Sequence, residues 1–243
     1  MKIDICLKHE EAELPELPIG EHRYVLASNG AYLERRTPMF TTSARVKGDV
    51  PGLAEHYQYC LLACGKINRA MHGAMLAFFA HAHRLHGGEA ALILLYDVDR
   101  RRFRWFCPEQ TVEMYQSGGR WWACDTIRFE HPLDLPDGYV LFGDAHLHPG
   151  SPYPSAVDAG DDQDGLHIIV GRVGAQTRYH VDFVMDGVRF AVRESLIFED
   201  PECQPWSHAP EGWLQRIRLV AYPPHNTWTA DAKTAKDHDR YHA

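Results

Sequence analysis

The stretch from Asn68 to Gly87-Gly88 constrains the fold most, because Met71, Met75, Phe78, Ala82 and Leu85 recur there at intervals of three and four residues. Such spacing lines apolar side chains along one side of an α-helix. Asn68 suits an N-cap and Gly87-Gly88 a C-terminal stop, so the pattern predicts one amphipathic helix with sharp ends. The segment "EAALILLYDVDRRRFRWFCPEQ" (89–110) then reads as a buried strand, a polar turn and a second strand alternating at Phe103, Trp105 and Cys107.

Around this helix the chain is cut into short extended pieces. Residues 22–46 alternate on either side of Asn29-Gly30, a dipeptide suited to a tight hairpin, and predict a small N-terminal β unit. Residues 50–67 read as a short helix or partly buried connector. "WWACDTIRFE" (121–130) and "GYVLFGDAHLH" (138–148) are strand candidates, and "GLHIIVGRV", "TRYHVDFVMDG" and "VRFAVRESLIFE" are three more, ending near Asp200. One packable piece remains, "EGWLQRIRLVAY" (211–222), before a polar tail from Pro223 onward that is expected to be disordered. The resulting division is a β-rich accessory region (1–66), a central domain (67–200) and a C-terminal packing segment with its tail (201–243).

Composition narrows the function. The 243 residues are 45% hydrophobic and 24% charged, ordinary values for a soluble globular chain. No apolar run approaches the roughly 18 residues of a membrane span, and the N-terminus lacks the apolar centre of a secretion signal, so no membrane partner and a cytoplasmic location are expected. The net charge of −8 disfavours nucleic acid, whose affinity rests on basic side chains. The six cysteines lack C-x-x-C spacing, which favours reduced thiols over disulfides or zinc on sulfur.

The chemistry concentrates in "FGDAHLHPGSPYPSAVD" (142–158). On a strand, His146 and His148 project from one side, together with Asp144, Phe142 and Val140. Pro149 ends the strand, a turn follows, and Ser155 opens a segment in which Asp158 lies one helical turn on. Two imidazoles and a carboxylate form the three-ligand set of a catalytic zinc, whose fourth position holds water. The structural alternative is a histidine pair facing solvent and a capping box from Ser155 to Asp158, with Asp in place of the usual Glu. "FFAHAHRLHG" (78–87) holds a second H-x-H, but on a helix positions i and i+2 diverge, so His81, His83 and His86 are expected on its solvated side. His167 is expected to pack or hydrogen-bond within a strand, and Cys60 and Cys64 to share a buried helix face.

The segment "HLHPGSPYPSAVD" resembles the H-x-H-P…S-x-x-D signature of the JAMM (JAB/MPN) metallopeptidases, and "GLHIIVG" resembles the strand that follows it there. The resemblance covers roughly residues 68–200 and is nearest to the bacterial JAB-domain proteins of PRTRC and ubiquitin-like gene clusters. It implies an α+β fold, the cytidine-deaminase-like three-layer arrangement of a mixed β-sheet flanked by helices, here with the small N-terminal β-rich unit added. It further implies one Zn2+ held by His146, His148 and Asp158, with Ser155 stabilising the oxyanion. The family's general base is a glutamate after the first helix, a setting that Glu89 occupies; Glu130, Glu109 and Glu113 fit it less well. Two departures stand out. Leu147 replaces the usual serine or threonine and is expected to point into the core. Five residues, where the family commonly has six, separate Pro149 from Ser155, which leaves Asp161 and Asp162 as alternative ligands.

The implied activity is a zinc-dependent peptidase or isopeptidase that cuts the amide after the C-terminal glycine of a ubiquitin-like protein, for deconjugation or precursor processing. That protein or its conjugate is the expected partner, with a homodimer as a further possibility. The alternatives are a non-catalytic JAB/MPN scaffold, a zinc amidase acting on a small molecule, and a purely structural module.

Overall fold

The computed structural model describes residues 4–10, 13–46, 55–132, 134–160, 163–174 and 176–222, the side chains of Asp125 and Ala159 excepted. The expected tail from Pro223, with Asp161 and Asp162, lies outside the described residues. Among those described, no helix is long and apolar enough to cross a membrane.

Three sheets organise the described residues. The first contains β1 (Asp4–Leu7), β2 (His22–Ala27), β3 (Gly30–Arg36), β4 (Phe40–Arg45) and β5 (Tyr59–Leu62) in sequential order. The second contains β6 (Ala91–Asp97), β7 (Arg102–Phe106), β10 (Tyr139–His148), β11 (Gly165–Gly171), β12 (Arg178–Met185) and β13 (Val188–Ala191), in the order β13-β12-β11-β10-β6-β7. The third joins β8 (Gln110–Ser117), β9 (Arg120–Phe129) and β14 (Ile217–Ala221) in the order β14-β8-β9. The α-helices among the described residues are α1 (Arg69–His86), α2 (Ala156–Gly160) and α3 (Glu194–Ile197), and a 3-10 turn spans Leu214–Arg216.

The three-layer α+β expectation is overturned. The structure is 45% strand and 14% helix in three sheets, which does not fit a sheet flanked by helices. The residues given to further helices went elsewhere. "YCLL" pairs with β4, setting Leu62 against Phe40, instead of continuing a helix, so Cys60 and Cys64 share no helix face. The last of the strands expected before Asp200 shortens to β13 and is followed by a single turn, α3.

Helix α1 forms where its periodicity and caps place it. Asn68 Oδ1 accepts the Met71 N–H at 2.9 Å, and Gly87 takes the left-handed conformation that ends the helix. Its buried side departs from the expected one at the last turn, where Leu85 is exposed and His86 is buried. Met75, Leu76, Phe78 and Phe79 pack in one core with Leu92, Leu94 and Tyr96 of β6 and with residues of β10, β11 and β12. Phe40 of the first sheet and Met39 just before it enter the same core, where the Phe40 ring meets Phe183 at 4.4 Å.

Strand β10 decides where polar groups go. It pairs with β11 in parallel and with β6 antiparallel, and its register against β6 shifts between Leu141 and Gly143. The extra residue resets the alternation. Phe142 therefore joins the core with Ala145 and Leu147, whereas Asp144, His146 and His148 project from the opposite side. This corrects the expected placement of Phe142 and Val140 beside the histidines; Leu147 points into the core as anticipated. Only glycine fits at the bulge, because a Cβ on Gly143 would lie 1.9 Å from the Leu166 carbonyl oxygen.

His72 ties α1 to the C-terminal side of the core. Its ring stacks on Phe198 at 3.9 Å, Nδ1 donates to the Asp200 carbonyl at 2.9 Å, and Nε2 accepts the Tyr179 hydroxyl at 2.8 Å. Burial pushes its pKa from 6.5 down to about 4. The unfolded chain thus takes up this proton at a higher pH than the folded one, so stability is whole above pH 6.5 and falls as pH drops toward 4. Urea unfolding is expected to lose about 3 kcal/mol through this group across that window, and His72→Asn should flatten the slope of stability against pH there by up to one proton.

Candidate metal centre

The two histidines reach the site from the end of β10, and both rings are oriented from behind. His148 Nδ1 lies 3.0 Å from the Tyr153 carbonyl oxygen, which can only accept. His146 Nδ1 lies 3.6 Å from Asp144 Oδ1, an ion-pair contact longer than a hydrogen bond. The Tyr153 carbonyl thus places a ring proton on His148 Nδ1, and in both rings Nε2 is the nitrogen turned toward Asp158.

Asp158 comes from the turn after Pro149. Ser155 N–H donates to Asp158 Oδ2 at 2.6 Å, and Asp158 N–H donates to Ser155 Oγ at 3.2 Å. The capping box is formed and is compatible with a ligand role: the reciprocal bonds that start α2 also turn the carboxylate toward β10. His146 Nε2 lies 3.4 Å from Asp158 Oδ1, and His148 Nε2 lies 3.3 Å from Asp158 Oδ2. The two imidazole Nε2 atoms are 3.1 Å apart. His146, His148 and Asp158 could hold a metal ion, their ligand atoms all lying within 4.8 Å of one another.

Glu89 completes the cluster, with Oε1 at 3.6 Å from His148 Nε2. It is buried, and it follows the Gly87-Gly88 helix stop that packs against β9, where a Cβ on Gly88 would meet the Ala123 Cβ at 2.5 Å. Gln110 fixes the start of β6 just beyond it, accepting the Ala91 N–H at 2.8 Å and donating to the Ala91 carbonyl at 3.1 Å. The competing acids stand elsewhere: Glu109 pairs with Arg216 and Glu113 with Arg128, and neither these nor Glu130 line the cavity.

The electrostatics favour a cation. Burial alone disfavours an imidazolium at His146, yet the Asp144 and Asp158 carboxylates outweigh it and raise the pKa of this ring. Asp158 is held well below the usual carboxylate range: burial opposes this, but His146 and the Ser155 hydroxyl and N–H prevail. His148 is pushed down, by burial first and then by the neighbouring charge of His146. The metal-free site thus holds a proton between two carboxylates where an ion can take its place.

The cavity over these groups has a volume of about 300 Å³. Ile127 and Phe129 of β9 form one wall, and His180 and Arg189 of β12 and β13 line the other side. Asp144, His180, Asp182 and Arg189 were not recognised in the sequence as parts of the site. A signal existed in "YHVDFVM", where two polar residues alternate with apolar ones and so must share one side of a strand. His167 hydrogen-bonds as expected, through Nδ1 to Asp144 Oδ2 and Nε2 to the Gln163 carbonyl, each at 2.8 Å. Of the α1 histidines, His83 is solvated as expected, His81 turns Nδ1 to the Ala77 carbonyl, and His86 is buried. Among the described residues no disulfide links the cysteines, and burial pushes the Cys60 and Cys107 thiols up to about 12, which suits neither a nucleophile nor a ligand.

Comparison with protein-family models, with curated proteins and with solved structures finds no match to this chain.

Asp144→Asn keeps the shape of the group behind His146 and removes its charge. Affinity for a divalent ion is expected to fall about 10- to 100-fold, measured by competition with a chromophoric chelator, with the far-ultraviolet circular dichroism unchanged.

Proposed function

We propose that this chain is a zinc-dependent amide hydrolase with a JAMM-like site, acting on the bond after the C-terminal glycine of a ubiquitin-like protein. The closeness of the ligand groups carries the reading: the two Nε2 atoms lie 3.1 Å apart, His146 Nε2 is 3.4 Å from Asp158 Oδ1, and His148 Nε2 is 3.3 Å from Asp158 Oδ2. A tetrahedral zinc with bonds of about 2.0–2.1 Å needs its ligands about 3.3 Å apart. Two neutral imidazoles and one carboxylate also match the donor set of catalytic zinc, which leaves a fourth position open. When bound, such an ion polarises a carbonyl and makes water acidic near neutral pH.

The chain's own groups have distinct tasks. His146, His148 and Asp158 are the ligands. Glu89, beside His148, takes the proton of the attacking water and returns it to the departing amine. Ser155 lines the cavity; its hydroxyl, which serves the Asp158 carboxylate at rest, donates to the oxyanion that develops on the substrate.

The substrate class rests on the resemblance of "HLHPGSPYPSAVD", a likeness of the site and not of the three-layer fold. It is supported by the wall that β9 builds: this strand lies at an edge of its sheet, so an extended tail can lie along it.

Metal analysis of wild type, His148→Ala and Glu89→Gln, paired with cleavage of a ubiquitin-like fusion, tests the reading. Zinc is expected in wild type and Glu89→Gln, and turnover in wild type alone. Wild-type protein without zinc would end the proposal, and turnover by Glu89→Gln would remove Glu89 from its role. Ser155→Ala should retain zinc and lose about 100- to 1,000-fold in rate; an unchanged rate would take the oxyanion role from Ser155.

A further inference from the structure

The ligand set stands on supports of unequal rigidity. His146 and His148 belong to a strand paired on both sides. Asp158 belongs to α2, a helix of five residues. A helix so short has no stability of its own, so its place must be fixed from outside.

Arg189 reaches it from the far side of the cavity. Its Nη2 donates to the Asp158 carbonyl oxygen at 3.2 Å, and its Nη1 donates to Asp182 Oδ2, also at 3.2 Å. Asp182 is buried and accepts from His180 Nε2 at 2.8 Å through the same oxygen. Arg189 sits opposite Val184 and Asp182 opposite Ala191, which makes Arg189 and Asp182 diagonal neighbours on one side of the β12–β13 pair. The guanidinium is planar and presents several donors in fixed directions, so one plane spans from the sheet to α2. The contact falls on a backbone carbonyl, so it sets where the Asp158 residue lies without supplying a ligand atom.

We propose that Arg189 is a positioning residue for Asp158: anchored by Asp182, it fixes α2 so that the Asp158 carboxylate meets His146 and His148 at ligand spacing. The inference rests on reading those three groups as a metal site. It assigns Arg189 and Asp182 to a single strut whose effect is on metal affinity and coordination geometry.

The test titrates Co2+ and Zn2+ into full-length wild type, Arg189→Ala, Arg189→Lys, Asp182→Asn and the Arg189→Ala/Asp182→Asn double variant. Affinity is read by chelator competition, geometry by the visible absorption of bound Co2+, and folding by circular dichroism of the metal-free proteins. Arg189→Ala is expected to weaken binding about 10- to 100-fold and to shift the cobalt spectrum. Asp182→Asn should act in the same direction, and the double variant should bind no worse than Arg189→Ala, because two parts of one strut are not additive. Arg189→Lys should recover part of the loss, since an ammonium replaces the charge but not the two-armed geometry. If Arg189→Ala fails to fold, Asp182→Asn and Arg189→Lys carry the same comparison. Unchanged affinity and cobalt spectrum in the variants overturn the inference, as do losses that add in the double variant. Unchanged metal binding with a raised KM makes Arg189 a substrate contact instead, which also overturns it. Wild-type protein that binds neither ion defeats the metal reading itself, a failure distinguishable from that of the strut.

Discussion

The site depends on one strand having two unlike sides. β10 is paired on both edges, so its backbone is satisfied and its side chains alternate between a core under α1 and a cavity opposite. Ala145 and Leu147 pack on one side while Asp144, His146 and His148 face the other. The bulge at Gly143 is what brings this phase into line with the rest of the strand: without the extra residue, Phe142 would share a side with the histidines. That register is held by a close contact, since the Gly143 backbone runs so near the Leu166 carbonyl that no side chain fits.

Burying this many charged groups is costly unless each has a partner. The cavity side of the sheet supplies partners in rows set by strand register. Asp144 lies opposite His167, and His167 opposite Asp182, so an acid, an imidazole and an acid run across β10, β11 and β12. Asp182 is answered by His180 and Arg189, and Asp144 by His167 and His146. The site is thus the open end of a polar band that continues across the sheet, and the His146 ring links the band to Asp158.

Much of this was legible in the residues, for local reasons. α1 announced itself because period, N-cap and glycine stop agree, and the Asn29-Gly30 hairpin because its turn chemistry is specific. His146, His148 and Asp158 were legible as a group because strand alternation and a single turn of chain are short-range geometry, whereas Glu89 was reached only through the family resemblance. What escaped was long-range. The strand β8 was missed although Gln110, Val112 and Met114 are buried on one side and Gly118-Gly119 turns it back onto β9; only its other partner, β14, comes from a distant part of the chain. Arg189 and Asp182 look like ordinary strand residues until β12 and β13 bring them beneath α2. The helical content was overestimated because a short motif resemblance was extended to the architecture of a whole domain, whereas residues such as those of β5 were committed by pairing with a neighbour.

The division between a rigid and a short support also shapes what a bound ion would do for the protein. The histidines lose little freedom on binding, because β10 is ordered by its neighbours with or without a metal. Asp158 is different: α2 is held by the Ser155 box, by Arg189 and by contacts with two imidazoles. An ion bridging Asp158 to β10 would therefore stabilise mainly the turn from Pro149 to Gly160, and would bind the folded chain far better than an unfolded one. The same asymmetry makes the carboxylate's placement depend more than that of the imidazoles on contacts from outside its own element. Each histidine has a whole sheet behind it, whereas the carboxylate's position depends on a few hydrogen bonds, one of which begins across the cavity on another strand.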